Sequence, residues 1–121
     1  MKTASTKPKK QFVYVVAGRY QDRHGDEGLN GPEVFSTSAK AAKYIAAEAE
    51  TYLKYYDAIS DDGTIDYDTV NEIDGDYGDG ETSLKAAKDI LQYVKKNQSI
   101  SINVDGEGTW ADWDIFKEEV Q

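Results

Sequence analysis

The densest run of potential ligand atoms in the chain is Asp74-Gly75-Asp76-Tyr77-Gly78-Asp79-Gly80-Glu81. Closely spaced carboxylates among glycines are what calcium requires, since it takes about six to eight oxygen ligands. The EF-hand spacing nevertheless fails. Counted from Asp74, the position that needs Asp or Asn is Gly78, the obligatory glycine is Asp79 and the bidentate acid is Lys85. Starts at Asp61, Asp66, Asp76 and Asp105 fail as well, which leaves a non-EF calcium module as an alternative reading. The glycine pairs Gly78/Gly80 and Gly106/Gly108 sit among Asp and Glu and lack the spacing of a phosphate-cradling loop. His24, the single histidine, lies in a polar loop beside Arg23 and Asp26 with no Ser or Cys at nucleophile spacing, and reads as a solvated residue. Paired carboxylates for glycoside chemistry ask for a larger scaffold than this one. The expectation is a protein that is not an enzyme and holds no cofactor and no metal.

What remains distinctive is charge. The 121 residues and 13.5 kDa amount to one domain, and 39% hydrophobic residues are enough for a folded core. There are 23 Asp and Glu against 14 Lys and Arg, for a net charge of -9. Residues 1–10 hold Lys2, Lys7, Lys9 and Lys10 and no acid, and read as a flexible basic leader. Residues 57–81 hold ten carboxylates (Asp57, Asp61, Asp62, Asp66, Asp68, Glu72, Asp74, Asp76, Asp79, Glu81) and no Lys or Arg. A second cluster, Asp105, Glu107, Asp112, Asp114, Glu118 and Glu119, has Lys117 as its one base. Nucleic acid and anionic membrane surfaces would be repelled by such a body, so neither is expected as a direct partner. No cysteine is present, which excludes disulfides and thiolate chemistry, and the apolar run at 12–17 is too short for a signal or membrane segment. A cytoplasmic location is expected.

The elements that must position these charges follow from periodicity. Phe12, Val13, Tyr14, Val15 and Val16 suit a central strand covered on both faces. Residues 21–32, rich in Gly and Asp, predict a loop, and Glu33-Val34-Phe35 a short returning strand. Ser36, Thr37 and Ser38 offer N-cap hydroxyls to a helix running to about Ala58, with Ala41, Tyr44, Ile45, Glu48, Tyr52 and Tyr55 along one stripe. Residues 60–80 predict an irregular excursion docked by Ile65, Tyr67, Val70, Ile73 and Tyr77. A second helix opens at Thr82-Ser83 and carries Leu84, Ala87, Ile90, Leu91 and Val94 to Lys96-Asn97. Ile100, Ile102 and Val104 alternate as a half-buried strand, and residues 110–120 read as a further strand, with a Thr109-capped helix as the alternative. Thr37–Ile45 and Thr82–Ile90 agree at seven of nine positions, which is either shared capping chemistry or a duplicated unit. The whole predicts a single small α+β domain, residues 11–121, with an antiparallel sheet of about four strands packed against two helices.

Tyr44, Tyr52, Tyr55 and Tyr56 on the first helix, with Tyr67 and Tyr77 in the excursion, interleave aromatic rings with carboxylates. They either close the rim of a thin core or, with Trp110 and Trp113, form an interface.

Tyr14-Val15-Val16, Gly18, Tyr20 and Asp22, followed by Val34-Phe35-Ser36-Thr37 and Lys40-Ala41, resemble a unit of small uncharacterised proteins of phages and their bacterial hosts. In that unit a strand ending in a Gly-x-Tyr-x-Asp turn precedes a short strand and a Ser- or Thr-capped helix. The resemblance covers residues 11–50 and implies an α+β fold and a phage origin, with no activity to transfer. Residues 21–32 and the acidic excursion depart from its compact form.

Carboxylates in 57–81 arrive about every 8 Å of extended chain, and folding the segment back would approach the roughly 3.4 Å per charge of a DNA strand. The function expected is therefore an acidic inhibitor that mimics nucleic acid and blocks a basic nucleic-acid-binding protein or nuclease complex of a host. The partner-binding residues would be Asp61, Asp62, Asp66, Asp68, Asp74, Asp76, Asp79, Glu81, Tyr67 and Tyr77. The plain alternative is a soluble structural or interaction domain whose charge confers only solubility.

Overall fold

The computed structural model describes residues 10–78, 84–104 and 108–120. Five strands form one antiparallel sheet: β1 (Gln11–Gln21), β2 (Glu27–Phe35), β3 (Glu72–Ile73), β4 (Ser99–Asn103) and β5 (Trp110–Val120), in the spatial order β2-β1-β5-β4-β3. Two helices, α1 (Ser38–Tyr55) and α2 (Ile90–Asn97), complete a single small α+β domain. The sheet has one strand more than the sequence predicts, because the edge pair Glu72–Ile73 is too short to show a periodicity of its own.

The register divides the sheet into two unlike faces. Val16 stands beside Ile115, Trp113 beside Ile100, and Ala111 beside Ile102, which in turn meets Ile73; all but the half-buried Ile115 are buried, in one cluster with the residues of both helices. The other face carries Val15 beside Val34 and Phe116, Asp112 beside Ser101, and Trp110 beside Asn103. Val34 is 60% and Phe116 49% exposed, so neither α1 nor α2 covers this side. The expectation of a first strand covered on both faces is thus corrected: β5 is the central strand, and Val13 and Val15 are apolar side chains at an open surface. A run of β-branched residues records strand propensity as well as burial.

Three further boundaries differ from expectation. Residues 27–32, expected as loop, belong to β2, where Asn30 binds the Arg19 and Asp112 carbonyls and Tyr20 lies against Gly28. Helix α1 starts as predicted, with the Thr37 hydroxyl accepting from the Lys40 N–H at 3.1 Å. It stops at Tyr55 rather than Ala58. Asp57 adopts φ 56°, its N–H bonds the Lys54 carbonyl, and the Ala58 N–H bonds the Leu53 carbonyl, which is a Schellman stop with an aspartate where glycine is usual. The buried stripe of α1 is Ala41, Ala42, Ile45, Ala49 and Leu53; its small residues let the helix lie close on the sheet and leave Tyr44, Glu48 and Tyr52 half-buried along one flank.

The second helix is much shorter than its sequence pattern predicts. Leu84 and Lys85 belong to no helix, Ala86 is extended, a 3-10 turn spans Ala87–Asp89, and α2 begins at Ile90. The excursion is responsible: Ile65 N–H bonds the Lys85 carbonyl, Thr64 bridges Ala86, and Ala87 N–H bonds the Gly63 carbonyl. Ala39-Lys40-Ala41 and Leu84-Lys85-Ala86 therefore have different conformations despite their matching sequences; Thr82 and Ser83, expected to open the second helix, lie outside the described residues. Residues 110–120 form a strand as expected.

Candidate functional site

The residues expected to bind a partner divide into turn-builders and a smaller group that converges. Ala58, Ile65, Val70 and Ile73 are buried and pin the excursion to the core, whereas Tyr77, expected to help dock it, is 59% exposed. Between these anchors the aspartates cap backbone turns. Asp62 Oδ1 accepts from Thr64 N–H at 3.0 Å, and hydrogen bonding from the Thr64 side chain, then from its backbone, holds the Asp62 carboxyl below the ordinary range. Asp66 accepts from Asp68 N–H and from the Thr69 hydroxyl, and Asp76 from Gly78 N–H. Asp61 and Asp68 are exposed in the same turns. Tyr67 is half-buried with its ring against Gly78, and burial followed by the Asp76 charge pushes its hydroxyl up to about 12. Asp79 and Glu81 lie outside the described residues, as do Asp105 and Glu107.

Asp74 has a different situation. Asp74 and Gly75, at φ 50° and 85°, are the two central residues of a tight turn closed by Ile73 and Asp76, a conformation in which Asp-Gly is favoured. Its carboxylate then accepts from the Ser101 N–H at 2.7 Å and from the Tyr93 hydroxyl, joining the sheet edge to α2. Burial, and after it this carboxylate, drives the Tyr93 hydroxyl well above the ordinary tyrosine range.

From that turn an acidic hollow of about 330 Å³ extends across the open face of the sheet, lined by Glu72, Asp74, Ser101, Asn103, Trp110 and Asp112, with Arg19 as the cation among its lining residues. Asp114, next on the same side of β5, has its carboxyl raised by burial and then by the charges of Asp112 and Asp74. Asp112 is held in place by a bulge in β1. At Gly18 a Cβ would come within 2.0 Å of the Asp112 carbonyl oxygen, and the Asp112 carboxylate accepts from Arg19 N–H at 2.8 Å. The guanidinium of Arg19 rests 5.9 Å from the Trp110 ring centroid. Glu72, Asp112 and Asp114 belong to the acidic clusters of the sequence but not to the residues expected to bind a partner. Once 110–120 is read as a strand, their period of two places Asp112 and Asp114 on one face. The addition of Glu72, Asp74 and Arg19 depends on strand order.

Among the described residues no group of three or more His, Asp or Glu could hold a metal ion. No helix among them is long and apolar enough to cross a membrane.

A second concavity lies on the helix-bearing face. Tyr20, Asn30, Glu48, Thr51, Tyr52, Tyr55, Tyr56 and Trp113 line a cleft of about 410 Å³ between the C-terminal half of α1 and the β1–β2 hairpin. Of the aromatic residues the sequence offered for an interface, Tyr52, Tyr55, Tyr56 and Trp113 meet here, Tyr44 packs on Phe35, and Trp110 stands on the opposite face.

No protein-family model, curated protein or solved structure gives a match to the chain.

Proposed function

We propose that this chain is a protein-binding domain that presents the acidic hollow of its open sheet face to a basic partner, and that it acts as an inhibitor by occupying that partner's nucleic-acid site. The observation that carries the reading is the convergence of Glu72 from β3, Asp74 from the turn that follows it and Asp112 from β5 around Arg19, with Asp114 next along β5. Like charges so placed repel one another in the free protein. A cationic partner relieves that repulsion, so binding recovers energy that folding gives up. The indole of Trp110 beside these carboxylates sets a flat aromatic group next to anionic oxygens, the chemical order of a base beside its phosphate. The resemblance of residues 11–50 to phage-encoded units is in keeping with a host nuclease, defence or transcription protein as the target.

The test is capture of nucleic-acid-binding proteins from cell lysate on the immobilised chain at stepped salt, with duplex DNA as competitor. Retention at low salt, release by DNA and loss in the Glu72→Gln/Asp112→Asn/Asp114→Asn variant are expected. Arg19→Gln should strengthen retention by removing the lining cation. Retention that ignores both DNA and the neutralised acids would refute the proposal.

A further inference from the structure

The cleft between α1 and the β1–β2 hairpin takes no part in that function, and its walls have a chemistry of their own. The Tyr52 and Tyr56 rings stand 5.1 Å apart at 61°, Tyr52 and Trp113 6.0 Å apart at 82°, and Tyr55 and Tyr56 4.9 Å apart at 85°. Successive rings in edge-to-face contact present their faces in several directions around one space, and each face carries the negative side of a ring quadrupole. The geometry is fixed at its base, where Trp113 is 4% exposed, and open at its rim, where Tyr55 is 79% exposed.

Hydrogen-bond acceptors interrupt this aromatic lining. Glu48 uses one carboxylate oxygen to accept from the Tyr44 hydroxyl at 2.8 Å, which leaves the other for a ligand. The Thr51 hydroxyl donates its proton to the Ala47 carbonyl at 2.9 Å and keeps its lone pairs. Asp22 contributes a further carboxylate at the hairpin end. Ring faces with acceptors between them suit a cation that is flat, weakly hydrated and rich in N–H donors. Guanidinium meets all three conditions, whereas an ammonium is compact and strongly hydrated, and a quaternary ammonium has no proton to donate. The protein already shows the contact beside this cleft: in the neighbouring hollow, which shares Asp22, Tyr55 and Tyr56, the Arg23 guanidinium lies 5.7 Å from the Tyr56 ring centroid.

We propose that this cleft is a binding site for a guanidinium ligand, held between the faces of Tyr52, Tyr55 and Tyr56 and hydrogen-bonded by Glu48. Its volume fits a small molecule or a single arginine side chain.

The experiment is an amide-resolved NMR titration of the whole chain with N-acetyl-arginine methylamide, methylguanidinium and N-acetyl-lysine methylamide at constant ionic strength. Saturable shifts at Thr51, Tyr52, Tyr55 and Tyr56, with a dissociation constant on the order of 1 mM for the capped arginine, are expected. The capped lysine should bind roughly fivefold more weakly. Methylguanidinium binding as tightly as the capped arginine identifies a free guanidinium compound as ligand, and a preference for the capped residue identifies a peptide-borne arginine. Tyr55→Leu, at an exposed position that leaves the fold intact, should weaken the arginine probe roughly fivefold, and Glu48→Gln should reduce its margin over lysine. No saturation, shifts confined to Glu72, Ser101 and Asp112, an equal response to lysine, or an unaltered Tyr55→Leu would each overturn the assignment.

Discussion

At the scale of single residues, the carboxylates of this chain do several kinds of work that composition cannot tell apart. Asp74 serves a turn, a sheet edge and a helix at once. Asparagine tolerates the same left-handed backbone and keeps an oxygen that accepts from Ser101, whereas alanine removes both acceptors. Asp74→Ala should therefore cost about 1–3 kcal/mol, and Asp74→Asn should cost clearly less, as read by urea denaturation. The tyrosines make a second case. Tyr44 is raised to about 12, first by burial and then by its hydrogen bond to Glu48, and Tyr67 is likewise raised to about 12. The unfolded chain ionises its tyrosines near the usual value of about 10, so above that pH the unfolded state loses protons that the folded state retains. Stability from these groups is complete below about 10 and is lost as pH rises towards 12. Spectroscopic titration should show a late tyrosinate phase that shrinks in Tyr44→Phe/Tyr67→Phe, Tyr93 accounting for what remains, and that phase should coincide with alkaline unfolding.

At the scale of elements, strand β1 shows how one glycine determines a site. Its bulge brings the Asp112 backbone against Gly18, and a methyl group there has no room beside a main-chain oxygen. Gly18→Ala should destabilise the fold by about 3 kcal/mol and move the Asp112 and Arg19 amide signals, because the bulge and the Arg19–Asp112 bond shift together. Leu53→Ala, in contrast, should cost about 2–5 kcal/mol without touching the open face, since it empties a core position under α1. Helix α1 and strands β4 and β5 were legible in the sequence because capping hydroxyls, an alanine-rich stripe and a period of two are local signals. The length of α2 was not. Residues 84–86 are fit for a helix, yet their backbone groups pair with residues 63–65, and a local pattern holds no record of that competition. The end of α1 was hidden for a related reason, since an aspartate in the left-handed conformation gives no warning that a glycine would.

At the scale of the whole molecule, self-repulsion should be measurable. With a net charge of -9, the melting temperature should rise with monovalent salt, and the rise should shrink in the Glu72/Asp112/Asp114 neutralised variant. Asp114 also sets a pH response. Its folded carboxyl is raised, so the folded state keeps this proton to higher pH than the unfolded chain does. Its contribution is present below the unfolded value and is lost as pH rises through the raised folded one, so mild acidification should stabilise the domain, and less so after Asp114→Asn.

The sequence by itself determined that this chain is one acidic α+β domain without thiol chemistry, because composition, length and local periodicity are properties of the linear chain. It determined where every carboxylate lies along the chain, and that those of 57–81 stand apart from Lys and Arg. Only the tertiary structure decided which of them meet. Glu72 and Asp74, from β3 and its turn, meet Asp112 of β5 and Arg19 of β1 through the order β2-β1-β5-β4-β3, while Asp62, Asp66 and Asp76 are consumed by their own turns. The aromatic cleft arose in the same way, from a helix flank and a hairpin that share a face once Leu53 and Trp113 are buried. Strand order and face are set by the burial of the whole apolar set at once, so no window of sequence contains them.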